Sequence, residues 1–234
     1  MKLYNKIKDD SQKYVNNFVY LGIMINNLEY TVKIKAMIYK TLKNIKSKYN
    51  IDNNEIDDLI KNIQLVAQFY LPKNWSYPHK YHNNLWHTTL LFKGNQPLSK
   101  VENLPQFKQF EEGKICKIKI NGMIYIPECL IVLIIKLPGN VCCINKYPHI
   151  TAFIGKYPPK FSNNAMEEVL KNSEIKNLYD KIMKNDNEES IDTNLNEENY
   201  FNLNININNE DVTAYIYLST KELIIEGNMH AFEK

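Results

Sequence analysis

Residues 86–97, WHTTLLFKGNQP, and residues 148–159, PHITAFIGKYPP, place the same two polar side chains in otherwise apolar runs. Each reads His-x-Thr, then three apolar residues, then a Gly/Lys pair. Pro97 and Pro159 stand equally far from their histidines. Both stretches have the length and composition of strands. In a strand, residues i and i+2 project from one face. His87 and Thr89 therefore share a face, as do His149 and Thr151. Leu90 and Phe92, and likewise Ile150 and Ala152, are expected in the opposite layer.

Two such strands side by side, related by a rough two-fold axis, bring both pairs into one concave cleft. Two imidazoles and two hydroxyls around one point suit phosphodiester cleavage. One imidazole takes a proton from the attacking oxygen and the other protonates the leaving oxygen. The threonine hydroxyls donate to the nonbridging oxygens, where charge builds in the transition state. With an unperturbed histidine pKa of about 6.5, this chemistry calls for no metal or other cofactor. A lone His-x-Thr would read as a hydrogen-bonded core histidine beside a β-forming threonine. The matched pair, with matched flanks, carries the inference.

The remaining chain reads as α+β. Strands are expected at 17–25, 84–92, 114–120, 129–136, 148–155, 201–207, 213–218 and 222–227. Residues 31–49 place Ile34, Ile38, Leu42 and Ile45 at helical spacing. A second helix runs from about 53 to 70 with Asn54 as its N-cap. A third spans 163–183, with Met166, Val169, Leu170, Leu178 and Ile182 buried. Ser162 and Asn163 precede that helix as N-cap candidates, and its start could also hold an anion. The acidic, unpatterned stretch 185–199 reads as a flexible loop.

Of 234 residues, 29 are basic, and all 29 are lysine. Phosphate contacts that an arginine fork would make must come from lysines, hydroxyls or amides. The formal charge of +3 implies no general affinity for nucleic acid. The N-terminus has no apolar stretch of a secretory signal, and the longest apolar run, 129–135, is far too short to span a bilayer. Cys116, Cys129, Cys142 and Cys143 lack paired-ligand spacing and read as reduced, mostly buried thiols of a cytoplasmic protein, with Cys142 and Cys143 on opposite faces of a strand. His79 and His82, near His87, fit no familiar metal-site spacing. Lys93 and Lys156 are candidates to neutralise a phosphate at the cleft rim. Tyr147, Trp86 and Tyr157 are candidates to stack on a base.

The paired His-x-Thr strands resemble the 2H phosphoesterase superfamily. The opening strand, first helix and first motif strand follow its order over residues 18–92, and the helical stretch 51–83 looks like an insertion. The resemblance implies a single bilobal α+β domain over 1–234, with two pseudo-symmetric antiparallel sheet lobes around a central cleft, each giving one motif. It implies that His87, Thr89, His149 and Thr151 are catalytic. The stretch YPHITAFIGKYPPKFSN (147–163) is similar to the branch of RNA-repair ligases, which implies opening of 2′,3′-cyclic phosphate ends. The expected partner is an RNA end or a small nucleotide, with no membrane and no protein partner indicated. The alternatives are a phosphodiesterase acting on 2′,5′-oligoadenylate or cyclic dinucleotide signals, a non-catalytic RNA- or nucleotide-binding module, and a scaffolding protein.

Overall fold

Among the described residues seven antiparallel strands form one curved sheet, and its strand order decides where the two motifs meet. A computed structural model describes residues 18–64, 74–76, 86–184 and 197–233. The strands are β1 (Tyr20–Ile25), β2 (Trp86–Phe92), β3 (Ile115–Ile126), β4 (Leu130–Lys136), β5 (His149–Ile154), β6 (Glu198–Ile207) and β7 (Glu210–Phe232). They run in the order β2-β1-β7-β3-β4-β5, with β6 added on β7. The helices are α1 (Leu28–Tyr49), α2 (Asn54–Gln64), α3 (Pro105–Lys108), α4 (Phe161–Val169) and α5 (Ser173–Lys184), with a 3-10 turn at Leu98–Lys100. Among the described residues no helix is long and apolar enough to cross a membrane.

The two motif strands β2 and β5 end the path at opposite sides, and curvature brings them together. Trp86 Nε1 donates to the Ala152 carbonyl at 2.8 Å, inside the core. The Ile144 amide donates to the Leu90 carbonyl at 2.8 Å. The near-closed sheet is filled on one side by the apolar face of α1 and by α2. Ile34, Ile38, Leu42 and Ile45 pack there against Ile23, Trp86, Leu90, Ile118, Leu133, Ile150 and Ala152. On the other side α4 and α5 cover Ile124, Val132, Ile134 and Ile216. β4 contributes alternately to both cores, as its uninterrupted apolar sequence demands.

Several sequence expectations change. The two strands at 213–218 and 222–227 are one strand, β7, which also takes in residues 228–232. It pairs with β6 and the second half of β3, passes an irregularity opposite Asn121, then pairs with the first half of β3 and with β1. Two sheet lobes were expected; β7 runs through both halves and makes them one sheet. Residues 121–126, not expected as strand, complete β3. The long third helix is two, because Asn172 breaks it: its Oδ1 accepts from the amides of Glu174 and Ile175 and caps α5. The α2 start is held by Asn53 rather than Asn54, through Asn53 Oδ1 and the Glu55 amide at 2.8 Å. Cys142 and Cys143 lie in the β4–β5 connection, not on a strand; Cys142 is exposed and Cys143 half-buried. Burial pushes the Cys143 thiol up to about 11.

The stretch 51–83 is woven into the body where it is described. Ile56, Leu59, Ile63 and Trp75 are buried in the larger core. Glu55 accepts from Trp75 Nε1 and from the Glu128 amide, tying α2 to the β3–β4 turn. His79, His82, the second helix beyond Gln64 and most of the acidic loop lie outside the described residues.

The recurring Gly/Lys pairs have local causes. Gly94 adopts φ +59°, a left-handed conformation that glycine takes without strain. At Gly155 a Cβ would lie 2.0 Å from the Glu128 carbonyl oxygen, so β5 can leave the sheet against the β3–β4 turn only with glycine there.

Replacing Trp86 with Phe keeps a large apolar ring and strands the buried Ala152 carbonyl. The variant is expected to lose about 1–3 kcal/mol of stability, read as a lower urea midpoint at unchanged slope. An unaltered midpoint would show that this bond does not hold the sheet ends together.

Candidate functional site

The alternation of β2 and β5 sets which side chains face away from the α1/α2 core. Trp86 and Leu90 enter that core, so His87 and Thr89 project from the other face. Ile150 and Ala152 enter it from β5, so His149 and Thr151 also project from the other face, beside Ile134 and Val132 of β4. Because β2 and β5 meet, all four side chains line one cleft of about 340 Å³, with Tyr20, Phe92, Asn145, Pro159, Lys160 and Asn163.

The two histidines have different surroundings. His149 is buried, and its Nδ1 lies 2.8 Å from the Tyr147 carbonyl oxygen. A carbonyl only accepts, so Nδ1 carries the proton and Nε2 is left for a ligand. Burial lowers the His149 pKa below its ordinary 6.5, against the opposing effect of the Tyr147 carbonyl. This imidazole is therefore neutral at pH 7, with a lone pair on Nε2. His87 is half-buried and rests on aromatic rings. Its ring centroid is 5.0 Å from Tyr20 and 4.9 Å from Phe232. Those rings stack on each other at 4.3 Å. Ring faces of this kind attract a cationic imidazolium.

The threonines also differ. Thr151 Oγ1 is 2.7 Å from Ser162 Oγ in a buried contact. Thr89 meets the β4–β5 connection through its backbone, where its carbonyl accepts from the Cys143 thiol at 3.2 Å.

Other candidates sit elsewhere. Lys93 is buried, directs Nζ to the carbonyls of Gly94 and Gln96, and covers the Phe18 ring. Lys156 pairs with Glu210. Tyr157 is buried and donates to Glu210 Oε2 at 2.7 Å. Trp86 is a core residue, and Tyr147 packs edge-on against Tyr179 with its carbonyl holding His149. None of these five side chains lines the cleft. Ser162 and Asn163 lie inside α4 rather than before it; the cap residue is Lys160, and it makes no side-chain cap bond. Among the described residues no three His, Cys, Asp or Glu side chains gather as metal ligands.

Sequence reading missed Lys160 and Phe92. Lys160, four residues past the expected Lys156, is the one side chain of fixed positive charge among the described residues lining the cleft. Phe92 was expected in the core. A bulge opposite Leu21 and Gly22 leaves Leu90 as an extra residue, because Leu91 pairs with Leu21 while Thr89 pairs with Gly22. Leu90 and Leu91 are both buried, and Phe92 turns to the cleft with 60% of its surface exposed. With Tyr20, its cross-strand partner, it gives the cleft an aromatic wall.

The depressed His149 pKa has a consequence for stability. Between the folded and unfolded pKa values the unfolded chain binds more protons at this site, so stability rises with pH there. The contribution is present above about pH 6.5 and is lost as pH falls through the folded pKa. His149→Gln should weaken the fall in melting temperature between pH 7.5 and pH 5. An equally steep fall in the variant would show that another group carries it.

No family model matches the chain, and no curated protein matches it. Among solved structures it is similar to the crystal structure of a fungal RNA kinase, with a TM-score of 0.48 and 14% identity. The match covers 93% of this chain and 46% of that one, so the chain spans about half the length of that neighbour.

Proposed function

We propose that this chain is a phosphodiesterase of the 2H type that opens nucleoside or RNA 2′,3′-cyclic phosphates. The observation that carries the reading is the meeting of both His-x-Thr pairs in one cleft. His149 Nε2 takes a proton from water as its oxygen attacks phosphorus in line. The P–O bond to one ribose oxygen breaks as His87 protonates that oxygen. Thr89 and Thr151 donate to the nonbridging oxygens, and Lys160 offsets the charge they gain. This division of roles follows from the surroundings of the two rings. A neutral imidazole fixed by a carbonyl suits a base, and an imidazole on ring faces suits a charged acid. One fixed cation and a cleft of about 340 Å³ suit a single phosphate on a small substrate or chain end. The Phe92–Tyr20 wall gives a nucleobase a surface to stack on.

Purified protein should hydrolyse adenosine 2′,3′-cyclic monophosphate with EDTA present. His87→Ala and His149→Ala should each lower kcat by about 10²–10⁴-fold. The kcat/KM profile should be bell-shaped, with its acidic limb below pH 6.5 because burial holds His149 down. Retained binding with no turnover in the wild type would replace the enzyme with a binding module. A dependence on added metal would overturn the mechanism.

Phe92→Ala should raise KM by about tenfold with little change in kcat, since base stacking is worth about 1–3 kcal/mol. The check is a cyclic phosphate on a ribose without a base, whose KM should not respond to the substitution. If it responds equally, Phe92 shapes the cleft rather than holding a base.

A further inference from the structure

Ser162 is fully buried, and the contact of its hydroxyl with Thr151 is the only one the structure gives it among the described residues. It lies in the first turn of α4, two residues past the cap position held by Lys160, so its side chain is not the helix cap. Here its amide is taken by the Pro159 carbonyl at 3.0 Å, and its side chain turns back to β5. Each hydroxyl has one proton to give and can accept in return. If Thr151 gives its proton to an anion in the cleft, it can only accept from Ser162. The proton of Ser162, shut away from water, then has one direction to point. The sequence Ser162 to Thr151 to anion is a polarised chain in which the first bond strengthens the second. Among the described residues no hydroxyl backs Thr89 in this way.

We propose that Ser162 is a positioning residue that fixes the direction of the Thr151 proton, so that Thr151 is a pre-oriented donor to a nonbridging phosphate oxygen. The two halves of the site are then unequal: the β5 half grips the phosphate and the β2 half follows it. The identity of the anion rests on the phosphodiesterase reading, and the Ser162–Thr151 pairing does not.

The test is a double-substitution cycle on hydrolysis of adenosine 2′,3′-cyclic monophosphate. Ser162→Ala should lower kcat/KM about tenfold. Combined with Thr151→Val, which keeps shape and removes the hydroxyl, it should cause no further loss. Combined with Thr89→Val, it should still cost its full factor. Ser162→Cys, close in volume and a weak donor, guards against a packing artefact and should behave like the alanine variant. Equal losses from Ser162→Ala in the wild-type and Thr151→Val backgrounds would overturn the inference, as would full activity in Ser162→Cys. A second measurement separates this inference from the proposed reaction. Adenosine 2′-monophosphate should raise the melting temperature of the wild type, and less so that of Ser162→Ala and Thr151→Val. That pattern without hydrolysis would sink the phosphodiesterase and leave the Ser162 assignment standing. Equal shifts in all three proteins would overturn the assignment, and neither turnover nor any shift would overturn both.

Discussion

The indole N–H of Trp86 and the carbonyl of Ala152 hold the molecule's two ends of sheet together. The bond is buried, so its loss leaves a polar group without water, which makes it worth more than an exposed bond. It also sets distances. Trp86 immediately precedes His87, and Ala152 immediately follows Thr151. A fixed contact on the core side of both strands therefore fixes the separation of the polar side chains on the other side. Period-2 geometry turns a packing constraint into a site constraint. A residue that resembles a stacking platform in sequence is the strut behind the site.

The pseudo-symmetry of the two motifs stops at the strands. Both give a histidine and a threonine with the same spacing and the same facing. What surrounds them comes from unrelated parts of the chain. β5 is followed by α4, whose first turn meets Thr151 through Ser162, while His149 is buried beside the Tyr147 carbonyl. β2 is followed by a 3-10 turn and the short α3, which pack under Leu91 on the core side and leave the cleft side open. One imidazole is thus enclosed against a carbonyl and the other lies on rings. Two side chains of one type can take opposite tasks only if their surroundings separate their proton affinities. Burial supplies that difference on the His149 side, where it lowers the proton affinity.

What the sequence made legible is what repeats with a fixed period. The alternation in β2 and β5 placed the four polar residues on one face, and the spacing in α1 placed its buried stripe correctly. The features it hid are local departures from a period. The bulge at Leu90 shows only in the pairing of β2 with Leu21 and Gly22 of β1, so the alternation within residues 86–92 does not signal that Phe92 faces the cleft. Asn172 splits a periodic helix because its side chain competes for backbone amides, and apolar spacing does not register that competition. Lys93 and Lys156 follow the motifs at matched positions, yet each finds a nearer partner in its own turn or in Glu210. Lys160 was visible as a residue, but only the direction of α4 brings it to the cleft.

A chain whose 29 basic residues are all lysine has to hold a phosphate differently from one with arginine. A guanidinium fork fixes both the charge and the orientation of a phosphate at once. An ammonium group supplies charge from many directions and little orientation. Orientation must then come from neutral donors held rigidly, and in-line displacement depends on orientation. The cleft offers such donors in Thr89 and Thr151, with the amide side chains of Asn145 and Asn163 also on its wall. Of these, Thr151 is braced by a buried partner on a helix, so its hydroxyl loses little entropy when a ligand arrives. In the proposed reaction, the absence of arginine shifts the burden of alignment onto the hydroxyl pair at the α4–β5 junction and leaves Lys160 to supply charge alone.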